Sequence, residues 1–409
     1  MNYLYDEIGF KGLGQQNIAL CYTGFFVFNF IAPKMISMFS DVKIAIFVGF
    51  LFYDLMMVAG VFTYYCHGRP ALEGICDAGI VKGVNYVANF MQGSLGGTLV
   101  WTGQCMYLNQ ISLKSEKSKV FSYFFAVYVY SDLFGNLFNI IYYSFDVGTL
   151  LYFLIFATII LLADLFLLIV IPGISGYDPT AYQSSLKTEE QETLTVKSLE
   201  NPAEPDKTIT DSLKIFWSLV KDPKMLRVMP YAAQSGLLLG YLSGGFYKVP
   251  VHLYPDSDTN FVKRMISLVV ISYSLISSIF SRAMSTPLFK ANSIFIMKAC
   301  SVIFTLVAAY LTFYLDSVTS IWVVFACTLP MAICNSSKQV QINVYMAENF
   351  NGEVESFLIY KQLNNLFVCI FMAAIVYLTE TQYYIWLTCS NTICCVLTLV
   401  FLRDNRKAD

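Results

Sequence analysis

Charge is what this chain has least of. Lys, Arg, Asp and Glu together make up 13% of its 409 residues, about half the share in a soluble globular protein. So few charges cannot cover a water-facing surface, and a soluble fold is excluded. Histidine is as scarce: His67 and His252 are the only two, both fall in expected loops, and they read as surface residues or as a pH sensor. No Cys-x-x-Cys pair or Cys/His ligand spacing occurs among the eleven cysteines, so no metal site is expected. Phosphate loops, dinucleotide fingerprints and nucleophile motifs are also missing, which argues against an enzyme and against a cofactor. A net charge of −2 with no basic block gives nucleic acid no footing.

What the chain has is apolar length. Hydrophobic residues make up 56% of it and the mean hydropathy is +0.58. The runs predict eleven transmembrane helices, at 17–38, 43–65, 80–108, 119–143, 149–171, 227–250, 262–288, 291–315, 318–346, 355–379 and 382–402. Each approaches the roughly 20 residues that cross a bilayer core. The expectation is an all-α, multi-pass integral membrane protein whose first partner is the lipid bilayer. A barrel is excluded because no run alternates polar and apolar residues. Residues 1–16 are polar and lack a cleavage pattern, so the first span is expected to act as its own insertion signal.

Lys and Arg set the orientation. Lys114, Lys117, Lys119, Arg282 and Lys290 fall on one side together with the C-terminal tail, which is therefore expected to be cytoplasmic. Cys66 and Cys76 share a loop on the other side, where they either pair in an oxidising lumen or stay as thiols. The chain divides into residues 1–172 with five spans, a cytoplasmic linker at 173–226, and residues 227–409 with six spans. The linker ends in Leu213, Phe216, Trp217 and Val220 at helical spacing, which predicts a short amphipathic helix at the membrane surface. A faint repeat connects the halves: Leu133, Phe134, Leu137 and Phe138 of the fourth span match Leu366, Phe367, Ile370 and Phe371 of the tenth, six spans later.

Polar residues inside spans mark the candidate site. In the third span Asn85, Asn89, Gln92, Gly96 and Gly103 share one face at the α-helical period. That face is either a cavity wall or a close helix contact through small residues. Gln104 lies in the same span and joins the candidates. Six spans later Asn335, Lys338, Gln339 and Asn343 fall within one arc, after Pro330. A mid-membrane lysine costs about 2.5 to 3.5 kcal/mol, so Lys338 either faces the cavity or snorkels to the interface. Lys361, Asn364 and Asn365 share a face of the tenth span with the same ambiguity. Asp54, Asp132 and Asp164 are intramembrane carboxylates, each either functional or structural, and Asp132 is retained as a site candidate. The sequon at Asn335 lies in a span and should be silent.

Four segments then point to a family. GSLGGTLVWTGQCMYLNQIS, from Gly93 to Ser112, closely resembles the signature of the UNC-ninety-three-like proteins, also called the ion channel regulatory protein family, within the major facilitator superfamily. GLGQQNIALCYTGFFVFNFIAP from Gly12, FGNLFN from Phe134 and PYAAQSGLLLGYLSGGFYK from Pro230 resemble its second span, its fifth span and the start of its second half. The resemblance implies two six-helix bundles around a cavity lined by the first and fourth helices of each half. On this resemblance the third and ninth spans are those fourth helices, and the family's first helix is absent. Asp54, Asp132 and Lys338 match no family role.

Two readings follow. In the first, the protein transports, or regulates transport of, a small ion or solute. In the second it is a non-transporting accessory or chaperone subunit that binds a channel or another membrane protein.

Overall fold

The computed structural model describes residues 9–67, 74–112, 117–145, 149–170, 209–245, 258–314, 320–350 and 354–402, with Tyr5, Val249, Leu253 and Tyr254. The linker residues 173–208 and His252 lie outside them. Among the described residues the structure is helix and connection, without a strand.

The chain enters through α1 (Leu13–Phe28), which continues through a 3₁₀ turn into α2 (Ala32–Ser37). Then come α3 (Val42–Cys66) and α4 (Ala78–Met91), a π-helical stretch Gln92–Thr102, α5 (Gly103–Ile111), α6 (Lys117–Ser144) and α7 (Thr149–Val170). Beyond the linker lie α8 (Ile209–Val220) and α9 (Pro223–Gly240), which runs into a second π stretch, Tyr241–Gly245. The chain closes with α10 (Thr259–Ala283), α11 (Pro287–Ala291), α12 (Ser293–Tyr314), α13 (Ile321–Asn349), α14 (Val354–Tyr377) and α15 (Glu380–Phe401).

Nine helices among the described residues are long and apolar enough to cross a membrane. The described residues of the segments expected at 80–108 and 227–250 are helical too, but each segment contains one of the π stretches. A π turn takes an extra residue and is frequent at functional sites.

Two seams join the early helices to the late ones. α6 packs along α10, and α1 packs along α14. Moving six spans along the chain turns the fourth and seventh spans into the tenth and first, so the two seams exchange. The repeat in the sequence has a counterpart in packing. Phe138 of α6 stacks edge-on against Phe156 of α7 at 5.0 Å, and Phe371 of α14 meets Tyr383 of α15 at 5.4 Å.

Glycine permits the closest approaches. A Cβ on Gly93 would overlap the Cys21 carbonyl of α1, and one on Gly236 would overlap the Asn364 carbonyl of α14. Without water to drive association, such backbone-to-backbone packing is a main source of cohesion between membrane helices.

Cys66 and Cys76 are joined as a disulfide at the end of α3. Near that end Tyr5 is buried and donates to the Asn85 side-chain oxygen at 2.9 Å. The opposite end of the helix array carries α8. Its Phe216 is buried against Phe30, with ring centres 5.0 Å apart, while Trp217 stays exposed. The expected amphipathic helix therefore packs its Phe216 face onto protein.

Candidate functional site

Helices from both parts of the chain enclose a cavity of about 470 Å³, within the usual range for a small-molecule site. Cys21, Tyr22 and Phe25 of α1, and Tyr53 and Met56 of α3, form one wall. Asn89, Gln92, Gly97 and Trp101 enter from α4 and the π stretch, and Tyr128, Val129 and Asp132 from α6. Leu239, Leu242 and Ser243 come from α9 and the second π stretch, Tyr273 from α10, and Asn335 and Gln339 from α13. Lys361, Asn364 and Asn365 complete the lining from α14.

The α14 group is polar and buried. Lys361 is 7% exposed, and its ammonium lies 5.2 Å from the Trp101 ring centre and 5.1 Å from that of Tyr360. Cation–π attraction favours the charge there, but among the described residues no hydrogen bond or carboxylate meets it. One turn on, Asn364 Oδ1 and Asn365 Nδ2 are buried with no hydrogen-bond partner. Each unmet buried polar atom costs about 1–3 kcal/mol. A fold that leaves such atoms beside a cavity has room for a ligand to satisfy them.

Aromatic rings shape the middle. The Trp101 indole N–H donates to the Tyr53 hydroxyl at 3.0 Å, and its ring meets Tyr128 edge-on at 5.1 Å. Asp132 lies one turn beyond Tyr128, with its side chain open to the cavity.

At the α8 end the cavity has an apolar floor. The next turns along the same helices supply Cys105 and Leu108, Phe121 and Phe125, Tyr345 and Met346, and Phe357 and Tyr360, all buried in one cluster with Phe216. Phe121 of α6 and Phe357 of α14 stack across it at 6.0 Å.

The candidate residues divide. Asn89, Gln92, Asp132, Asn335 and Gln339 line the cavity, as do Lys361, Asn364 and Asn365. Asn85 does not. Held by Tyr5, its amide nitrogen donates to Thr63 Oγ1 and the Val81 carbonyl, so it ties α3 to α4. Gln104 is buried off the cavity with neither side-chain atom hydrogen-bonded. Asn343 is fully buried and donates to the Gln339 carbonyl at 2.5 Å.

Lys338 corrects both readings of it, for it neither faces the cavity nor snorkels. Wholly buried, it donates to Gln234 Oε1 at 2.8 Å and sits 4.1 Å over the Tyr231 ring. Gln234 is held in turn by Ser301, whose hydroxyl donates to the same oxygen at 2.6 Å.

The shared face of the third span is a second correction. The π stretch adds residues per turn, so Gln92, Gly97 and Trp101 reach the cavity while Gly96 turns to Gly49 and Gly103 to Ile46 of α3. Asp54 and Asp164 face one another on the α3–α7 seam, outside the lining. The aromatic lining was not among the candidates. A four-residue spacing from Tyr128 to Asp132, both on one face of α6, was the available signal.

Paired seams exchanged by a six-span shift, with a cavity between them, define a class: a polytopic membrane protein with the major facilitator fold. The crystal structure of the human organic anion transporter MFSD10 (TETRAN) is similar over 96% of this chain and 84% of its own, with a TM-score of 0.57 and 10% sequence identity. At that identity the likeness shows the fold alone. No protein-family model matches the sequence, and no curated protein matches it.

Proposed function

We propose that the chain is a facilitator-type transporter that carries a small solute through the cavity by rocking its two groups of helices about the α1–α14 and α6–α10 seams. The observation that carries this reading is the pair of buried amide atoms without a hydrogen-bond partner, Asn364 Oδ1 and Asn365 Nδ2, with the buried Lys361 ammonium on the same helix face, beside a cavity large enough for a solute. The floor supports it as well. Apolar and aromatic contacts such as Phe121 on Phe357 can part without stranding a charge.

The division at the linker, 1–172 from 227–409, matches the exchange of seams, and eleven spans follow if both π-containing segments cross the bilayer. The α8 end is the cytoplasmic one on the Lys and Arg bias, and the disulfide end faces an oxidising compartment. The likeness of Gly93–Ser112 to the UNC-ninety-three-like signature supports kinship with that family.

Spin labels on F121C and F357C, in a background lacking the accessible free cysteines Cys21, Cys369 and Cys389, test the reading. In lipid the label separation should show two populations, one short and one lengthened as the floor opens. A single short distance under all conditions contradicts rocking.

A further inference from the structure

The cavity holds one side chain of each charge, and they do not neutralise each other. Lys361 stands on α14, which packs on α1, whereas Asp132 stands on α6, which packs on α10. The charges therefore belong to different seams, and no ion pair joins them. Other intramembrane charges are elsewhere. Lys338 is enclosed by Gln234 and Tyr231, and Asp54 with Asp164 lies behind α3. Lys361 lies over the Trp101 ring, Trp101 meets Tyr128 edge-on and donates to Tyr53, and Tyr128 lies one turn from Asp132.

An unpaired cation in a membrane interior is costly, and so is an unpaired carboxylate. A solute with a single charge would satisfy one and leave the other bare. A solute charged at both ends would satisfy both at once, and its body would lie against the aromatic rings.

We propose that the cavity takes a dipolar organic solute: an anionic group received by Lys361 and the Asn365 amide nitrogen, a flat apolar body against Trp101 and Tyr128, and a cationic group received by Asp132. The proposal rests on the transporter reading for passage across the membrane, but its binding step is measured separately.

The test is calorimetric titration of the full chain in detergent with three probes of one shape: 4-(aminomethyl)benzoate, benzoate and benzylamine. Two charge-assisted hydrogen bonds in place of one predict that the dipolar probe binds at least about tenfold more tightly than either single-charge probe. The K361Q variant should reduce the dipolar probe to the affinity of benzylamine, and D132N should reduce it to that of benzoate. K361R keeps the charge and should retain the preference, which supplies the readout if K361Q does not fold. Benzoate or benzylamine binding as tightly as the dipolar probe overturns the proposal, and so does the absence of heat from all three.

Uptake by proteoliposomes separates the two claims. Binding of the dipolar probe without uptake contradicts transport and leaves the solute class standing. Equal binding of all three with uptake of any one contradicts the solute class and leaves transport standing.

Discussion

The ammonium of Lys361 stands 5.2 Å from the centre of the Trp101 ring, joining α14 to the π stretch of the third span across the cavity wall. Among the described residues no hydrogen bond meets that charge. The lysine is thus a group the fold tolerates more than one it needs.

That status predicts a separation of stability from binding. K361M removes an unpaired buried cation and keeps the chain's bulk, so thermal stability should hold or rise. Affinity for a solute carrying an anionic group should fall by at least about tenfold. A melting temperature lowered by the equivalent of about 2 kcal/mol would make Lys361 structural instead.

Lys338 predicts the reverse. Its ammonium satisfies Gln234 Oε1 within a network that includes Ser301 and Thr305. K338M should cost about 1.5–3 kcal/mol by removing a hydrogen bond from a charged donor, with Ser301 still donating to Oε1, visible as a lower melting temperature, while probe affinity stays at the wild-type value. Loss of binding without loss of stability would place Lys338 in the site.

Two glycines of the first five spans should behave oppositely. G93A forces a methyl into the Cys21 carbonyl, so α1 and the π stretch must separate, and the folded yield should collapse. At Gly135 a Cβ meets nothing within 4 Å, so G135A should gain close to 1 kcal/mol from helix propensity. Size-exclusion profiles and melting curves of the two variants check this.

The Cys66–Cys76 disulfide closes a short loop, with a sequence separation of 10. Loop-closure entropy assigns it about 2–3 kcal/mol. Mass spectrometry after alkylation should find these two cysteines blocked until reduction, and the C66S/C76S variant should melt at a lower temperature. Free alkylation of both in the native protein would contradict the pairing.

Much of the fold was legible because apolar length and helical period are local properties. The repeat was legible too: Phe138 and Phe371, matched in sequence, each pack onto the following helix. The site was legible where a regular α period held. Lys361, Asn364 and Asn365 share a face in sequence and share the cavity. It was lost in the third span because a π stretch shifts the register, and that shift accompanies tertiary contacts of Gly93 and Gly96 that no local pattern encodes. Lys338 was misplaced because its direction depends on Gln234, 104 residues away. The role of Asn85 was hidden for the same reason, since its partner Tyr5 is 80 residues distant.

The central claim is that solute crosses this protein only when the floor between Phe121 and Phe357 opens. Proteoliposomes carrying the F121C/F357C variant should take up radiolabelled 4-(aminomethyl)benzoate, stop when a disulfide-containing bis-maleimide bridges the two cysteines, and resume when the bridge is cleaved by reduction. Uptake that continues unchanged across the joined floor would contradict the account.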